Sequence, residues 1–136
     1  MKGAVTGALA AAVWQATDSV FKRAFGTPYS DAELLGPFIT RGRHEWLANL
    51  VTHSAGGAAF GYAFERLGGR GVKAGVVAAL TENTLLWPAM AVIDRIHPKV
   101  RDGEWPRLAA NPRAFAQATA GHAWFGVLLG LGVRDV

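Results

Sequence analysis

Charge in this chain is crowded into short stretches, and that distribution constrains the fold more than any motif. Scanning for runs of about 18 or more residues with few charges leaves four: Gly3 to Phe21, Trp46 to Phe64, Val72 to Ile93 and Ala114 to Val133. A bilayer core of about 30 Å is crossed by roughly 20 apolar helical residues, so the pattern predicts four transmembrane helices. In 136 residues they leave room for short tails, one tight turn and two moderate loops. The expected fold is all-α: a single polytopic membrane domain over residues 1–136, with an interfacial loop helix at about 30–39. A helical bundle in water is the alternative. It should carry polar residues on about half of each helix at the 3.6-residue period, and Gly56-Gly-Ala-Ala-Phe-Gly-Tyr-Ala-Phe64 and Val76-Val-Ala-Ala-Leu80 have no such face. Ala and Gly, rather than Leu and Ile, fill these runs, which keeps the overall hydropathy low.

Cysteine is absent, which excludes disulfides, thiolate metal sites and thiolate haem ligation. Lys2 to Ala12 has the basic-then-apolar character of a secretory signal and is read as a retained first helix. The net charge of +4 would suggest nucleic acid if it formed a patch on a soluble domain. Here it reads as topology, and no nucleic-acid partner is expected. Lys22, Arg23, Arg41, Arg43, Arg95, Lys99, Arg101, Arg107 and Arg113 lie in the two longer loops, against Lys2, Arg66, Arg70, Lys73 and Arg134 on the other side. By the positive-inside rule the longer loops face the cytoplasm and both termini face out.

Gly26-Thr-Pro28 stops the first helix. Ser30-Asp-Ala-Glu33 has capping-box spacing, and Leu34, Leu35, Phe38 and Ile39 could lie in the interface. Leu67-Gly-Gly-Arg-Gly71 is short enough to make the second and third helices antiparallel neighbours. Pro88 should kink the third or loosen its last turns. Small residues recur at spacing four in every helix: Gly3 and Gly7, Gly57 and Gly61, Gly71 and Gly75, Gly126 and Gly130. Close backbone approach through such faces is how helices associate in lipid, so a tight GxxxG bundle is expected, either as a homo-oligomer or within a larger membrane complex. A weak repeat is visible as well. His53-x-x-x-Gly57-x-x-x-Gly61 matches His122-x-x-x-Gly126-x-x-x-Gly130, which would make the helix pairs parallel repeats.

With a rise of about 1.5 Å per residue, His53 falls roughly 4 to 5 Å from the middle of its helix, and Glu82 and His122 within about 2 Å of theirs. Asn83 adjoins Glu82, and Gln15 and Asp18 are secondary polar positions nearer the long-loop end. A carboxylate at the bilayer centre costs at least about 2.5 to 3.5 kcal/mol, so Glu82 should be protonated, paired or facing water. Four readings of the cluster stay open. They are hydrogen bonding across helices, a transport or proton pathway, haem or metal ligation by His53 and His122, and membrane-embedded catalysis, for which no nucleophile is paired with these bases. His44 and His97 are expected to be solvated. Trp14, Trp87 and Trp124 read as packing or interface anchors, and Asp18 with Lys22 and Arg23 as a local ion pair.

Gly71 through Ala74-Gly75 to Trp87-Pro88 resembles the third helix of the YagU-like small inner-membrane proteins of bacteria. Val51-Thr-His53 and Gly61-Tyr62, and Gly121-His122 followed by Trp124, extend that resemblance over about the last 90 residues. It implies four transmembrane helices, histidines in the second and fourth, a loose association with acid tolerance and no defined substrate. Asn83 departs from it, standing where a histidine is expected. The functional expectation is a multi-pass protein of the bacterial inner membrane, not an enzyme. Its site of His53, Glu82, Asn83 and His122 would pass or sense protons or a small solute. The alternatives are a non-catalytic subunit or scaffold, and a haem- or metal-bearing redox subunit; no cofactor is favoured.

Overall fold

The computed structural model describes residues 1–134, and no strand occurs among them. The helices are α1 (Lys2–Phe25), α2 (Glu45–Arg66), α3 (Gly71–Leu86), α4 (Met90–Ile96), α5 (Pro98–Arg101) and α6 (Pro112–Gly132), with 3₁₀ turns at Asp31–Glu33, Gly36–Phe38, Gly42–His44 and Trp87–Ala89. Local chemistry sets the boundaries. Gly26 ends α1 in the left-handed region at φ 62°, which a glycine enters without Cβ cost. Asn111 caps α6 by accepting the N–H groups of Arg113 and Ala114, with Pro112 pre-set for the first turn. Pro88 converts the α3–α4 junction to a single 3₁₀ turn, since its ring removes a backbone donor.

Four membrane spans are not what this chain contains. Among the described residues one helical run, Gly71–Ile96, is long and apolar enough to cross a membrane by length and composition, and most of it faces outward. Helices α1, α2 and α6 owe their low charge to Ala and Gly, which add little apolar surface for lipid. The multi-pass topology therefore fails, and with it the orientation drawn from the loop charges.

Packing follows the glycines. Helix α1 lies on α2, α3 on α6, and α1 on α6. A Cβ added at Gly3 or Gly7 would overlap the carbonyl oxygens of Gly61 and Gly57, and one at Gly75 or Gly130 those of Gly126 and Gly71. The two halves thus make the same close approach with equivalent residues. Gly3, Gly7, Gly57, Gly61, Gly75, Gly126 and Gly130 are spent on contacts inside the chain, whereas the Cβ position of Gly71 is open. Helices α2 and α3, although joined by a tight turn, each pack on another partner and stand apart. The core between the pairs is built from Ala10, Ala11, Trp14, Ala79, Phe125 and Leu129.

The loops fold onto one end of this frame. Tyr29, Met90, Trp105 and Leu108 form a second buried cluster there, fastened by Asp94, whose carboxylate accepts the N–H groups of Leu108 and Ala109 at 2.6 and 3.1 Å. His97 is not solvated. It is 0 % exposed, stacked on Trp105 at 4.4 Å, donating from Nε2 to the Leu34 carbonyl while Nδ1 accepts the Lys99 N–H. Burial holds its imidazole below the ordinary value, against the Leu34 hydrogen bond and with help from the charges of Lys99 and Arg41. The capping box also fails to form: Ser30 makes no side-chain cap, and Glu33 turns to Lys22 and Lys99 at 2.5 and 2.7 Å. Residues 30–39 are accordingly two 3₁₀ turns rather than a helix, with Leu35, Phe38 and Ile39 exposed.

Candidate functional site

A cavity of about 190 Å³ opens between α1, α2, α3, α6 and the 31–35 loop, and His53, Glu82 and His122 all line it. The route by which they meet differs from simple helix proximity. Gly57 and Gly61 of α2 face α1, and Gly126 and Gly130 of α6 face α3, so they do not draw α2 and α6 together. Instead, Trp14 on α1 reaches into the middle, and both imidazoles meet its indole edge-to-face at 5.0 Å. Gly121 makes this possible, because a Cβ there would overlap the Trp14 ring.

The contacts of His122 set the proton count of its pair with Glu82. Nδ1 lies 2.8 Å from the carbonyl oxygen of Ala118, which can only accept, so Nδ1 carries a proton. Nε2 lies 3.3 Å from a carboxylate oxygen of Glu82. Two bare lone pairs at that distance would repel. One proton therefore sits between them, either as imidazolium with carboxylate or as imidazole with carboxylic acid. A second acid stands nearby: Asp31 Oδ2 is 3.7 Å from His122 Nδ1, and the other Asp31 oxygen accepts the Tyr29 hydroxyl. Asp31 Oδ2 and His53 Nε2 are both buried without a hydrogen-bond partner. Unpaired buried polar atoms carry a desolvation cost of about 1–3 kcal/mol each, which a ligand in the cavity would relieve.

The remaining polar candidates lie outside this arrangement. Asn83 turns toward α6 and donates to the Thr119 hydroxyl at 3.1 Å, so it ties α3 to α6. Asp18 pairs with Lys22 at 3.2 Å, and Gln15 donates to the Trp46 carbonyl at 3.4 Å. Sequence reasoning missed Asp31, Trp14 and Gly121 as members of the site. Asp31 sits in a loop whose return over α2 depends on Gly36 seating against Asn49, a contact with no periodic signature. No set of three or more His, Cys, Asp or Glu among the described residues is arranged to hold a metal ion.

Chemically, the cavity offers one shared proton, a free carboxylate oxygen and a free imidazole nitrogen, walled by Trp14, Phe60 and Phe125. That set can bind a small polar solute and exchange a proton with it. No protein-family model matches the chain, and neither a curated protein nor a solved structure does.

Proposed function

We propose that this is a membrane-associated helical protein whose central cavity binds a small solute together with a proton. The observation that carries this reading is the approach of His122 Nε2 to Glu82 at 3.3 Å, with Nδ1 on the Ala118 carbonyl, within a cavity that also holds buried atoms of Asp31 and His53 without a hydrogen-bond partner. A pair held by one proton is easily shifted by a charged neighbour, so occupancy and protonation are linked. Lipid contact is supported by the Gly71–Ile96 run and by exposed Val77, Leu85, Leu86, Val92 and Ile96 along it. The resemblance to the YagU-like proteins points to the bacterial inner membrane as the compartment. Lys22, Arg41 and Lys99 are each matched by carboxylates, which speaks against a nucleic-acid partner.

Trp14 provides the readout, because an imidazolium against an indole perturbs its emission. The Trp14 contribution to fluorescence, taken as native minus Trp14→Phe, is expected to change through one transition between about pH 5 and 8. In Glu82→Gln the side-chain amide can donate to a neutral Nε2, so the transition should move to lower pH or vanish. A Trp14 signal that stays flat across that range, or that Glu82→Gln leaves unchanged, contradicts the proposal.

A further inference from the structure

A second space adjoins the cavity. Because α2 and α3 stand apart, they leave an apolar groove of about 630 Å³ walled by Phe64, Val77, Ala78, Leu85 and Leu86. Phe60 and Glu82 line both the groove and the cavity, so the two adjoin at the carboxylate. The groove's α3 wall runs from Leu86 to Ala74, roughly 18 Å at 1.5 Å per residue, with Glu82 about one turn from the Leu86 end. Its outer lip is open, with Leu85 73 % exposed and Val77 57 %. An apolar trough ending in a polar pocket suits a molecule that is apolar along its length and polar at one end.

The charge of the pocket selects the head. Facing it are Glu82 from α3, His122 from α6, His53 from α2 and Asp31 from the loop, and no Lys or Arg lines either space. The His122–Glu82 pair with its one proton is net neutral, and His53 has a buried bare nitrogen in apolar surroundings that favour the uncharged ring. Asp31 adds a second carboxyl group, whose buried Oδ2 has no hydrogen-bond partner. The pocket therefore holds one carboxylate more than its basic groups offset, and the rings of Trp14, Phe60 and Phe125 suit a cation. A carboxylate or phosphate head would meet this charge with nothing to offset it.

We propose that the α2–α3 groove holds the alkyl chain of a single-chain amphiphile whose protonated amine enters the cavity that Glu82 and Asp31 line. This rests on the reading of the cavity as a binding site and names the class of its ligand. At a C–C bond of about 1.5 Å, a chain of roughly a dozen carbons fills the groove.

The test is calorimetric titration of the full chain in lipid nanodiscs, with empty nanodiscs subtracted, using dodecylamine, dodecanoate and butylamine. Dodecylamine is expected to bind at least roughly tenfold more tightly than either of the others. Val77→Trp, which fills the groove from an exposed position, should weaken dodecylamine by a similar factor while leaving the Trp14 pH transition in place. Equal binding of butylamine would overturn the role of the groove, and equal binding of dodecanoate would overturn the charge argument. No amine binding with the Trp14 transition intact overturns this inference alone. Absence of that transition in the native chain removes the underlying reading as well.

Discussion

Gly57→Leu is expected to break the α1–α2 pair, whereas Gly56→Ala, one residue earlier, should make the protein more stable. Gly57 faces α1 so closely that an added Cβ would overlap the Gly7 carbonyl oxygen and stand 2.6 Å from the Ala11 Cβ. Backbone cannot yield as a flexible side chain does. A leucine there forces the helices apart and strips the facing contacts of both Gly7 and Gly61, so the cost should reach about 3 kcal/mol or more. Gly56 has nothing within 4 Å of its Cβ position, and alanine in a helix interior gains roughly 0.5–1 kcal/mol over glycine. Thermal unfolding followed by circular dichroism in mild detergent should therefore shift in opposite directions for the two neighbours. Equal melting of Gly57→Leu and the native chain would mean that the close approach is not formed.

Lys99→Met is expected to produce the second large loss, about 3 kcal/mol, through the ion network that pins the loops. Lys99 Nζ lies 2.7 Å from both Glu33 and Glu45, and all three side chains are largely covered. Lys22 on Glu33 and Arg41 on Glu45 remain in the variant, at 2.5 and 3.1 Å, which keeps the loss toward the low end for a broken buried pair. The pH dependence has a definite sign. Burial pushes the Glu33 carboxyl up, but its hydrogen bonds to Lys22 and Lys99 and their charges outweigh this and hold it below 4.5. Its contribution is thus complete above pH 4.5 and lost as pH falls through the depressed value. Burial pulls Lys99 down, but Glu33 and Glu45 hold it above 10.5, so its contribution is complete below pH 10.5 and lost as pH rises through the elevated value. Stability from this network should be level between those limits and fall outside them. Denaturant unfolding of native protein and Lys99→Met at neutral and acid pH checks both points. Superimposable curves at neutral pH would show that the network contributes nothing.

Helix positions were legible because they depend on local signals. Gly26 and Pro88 act on their own backbone, and each sits at a boundary or break of the structure. The glycine spacing was legible as a packing device, since two residues four apart share one helix face. Which face meets which is a tertiary fact, however. The turn at 67–70 suggested α2 against α3, whereas backbone overlap pairs α1 with α2 and α3 with α6. Low charge was mistaken for affinity to lipid. Alanine and glycine avoid charge without supplying apolar area, and of the low-charge runs only Gly71–Ile96 has enough of it.

The site shows the same division. Estimated depth brought His53, Glu82 and His122 to one level, and they line one cavity. Asn83, next to Glu82 in sequence, is turned by about 100° on the helix and bonds Thr119 instead. Asp31 and Trp14 were out of reach, because one comes from an irregular loop and the other is a large apolar side chain whose ordinary role is packing. His97 was misplaced for a related reason. Its burial depends on Trp105 and Leu34 arriving from two separate loops.

The measurement that bears most directly on this account is the ¹⁵N spectrum of histidine-labelled protein near neutral pH, compared between the native chain and Glu82→Gln. The shared proton predicts that the Nε2 signal of His122 shifts strongly with the substitution, while the signals of His97, which bonds Leu34 and Lys99 elsewhere, stay in place. An unchanged His122 Nε2 signal would contradict the His122–Glu82 pair and the proton-linked cavity built on it.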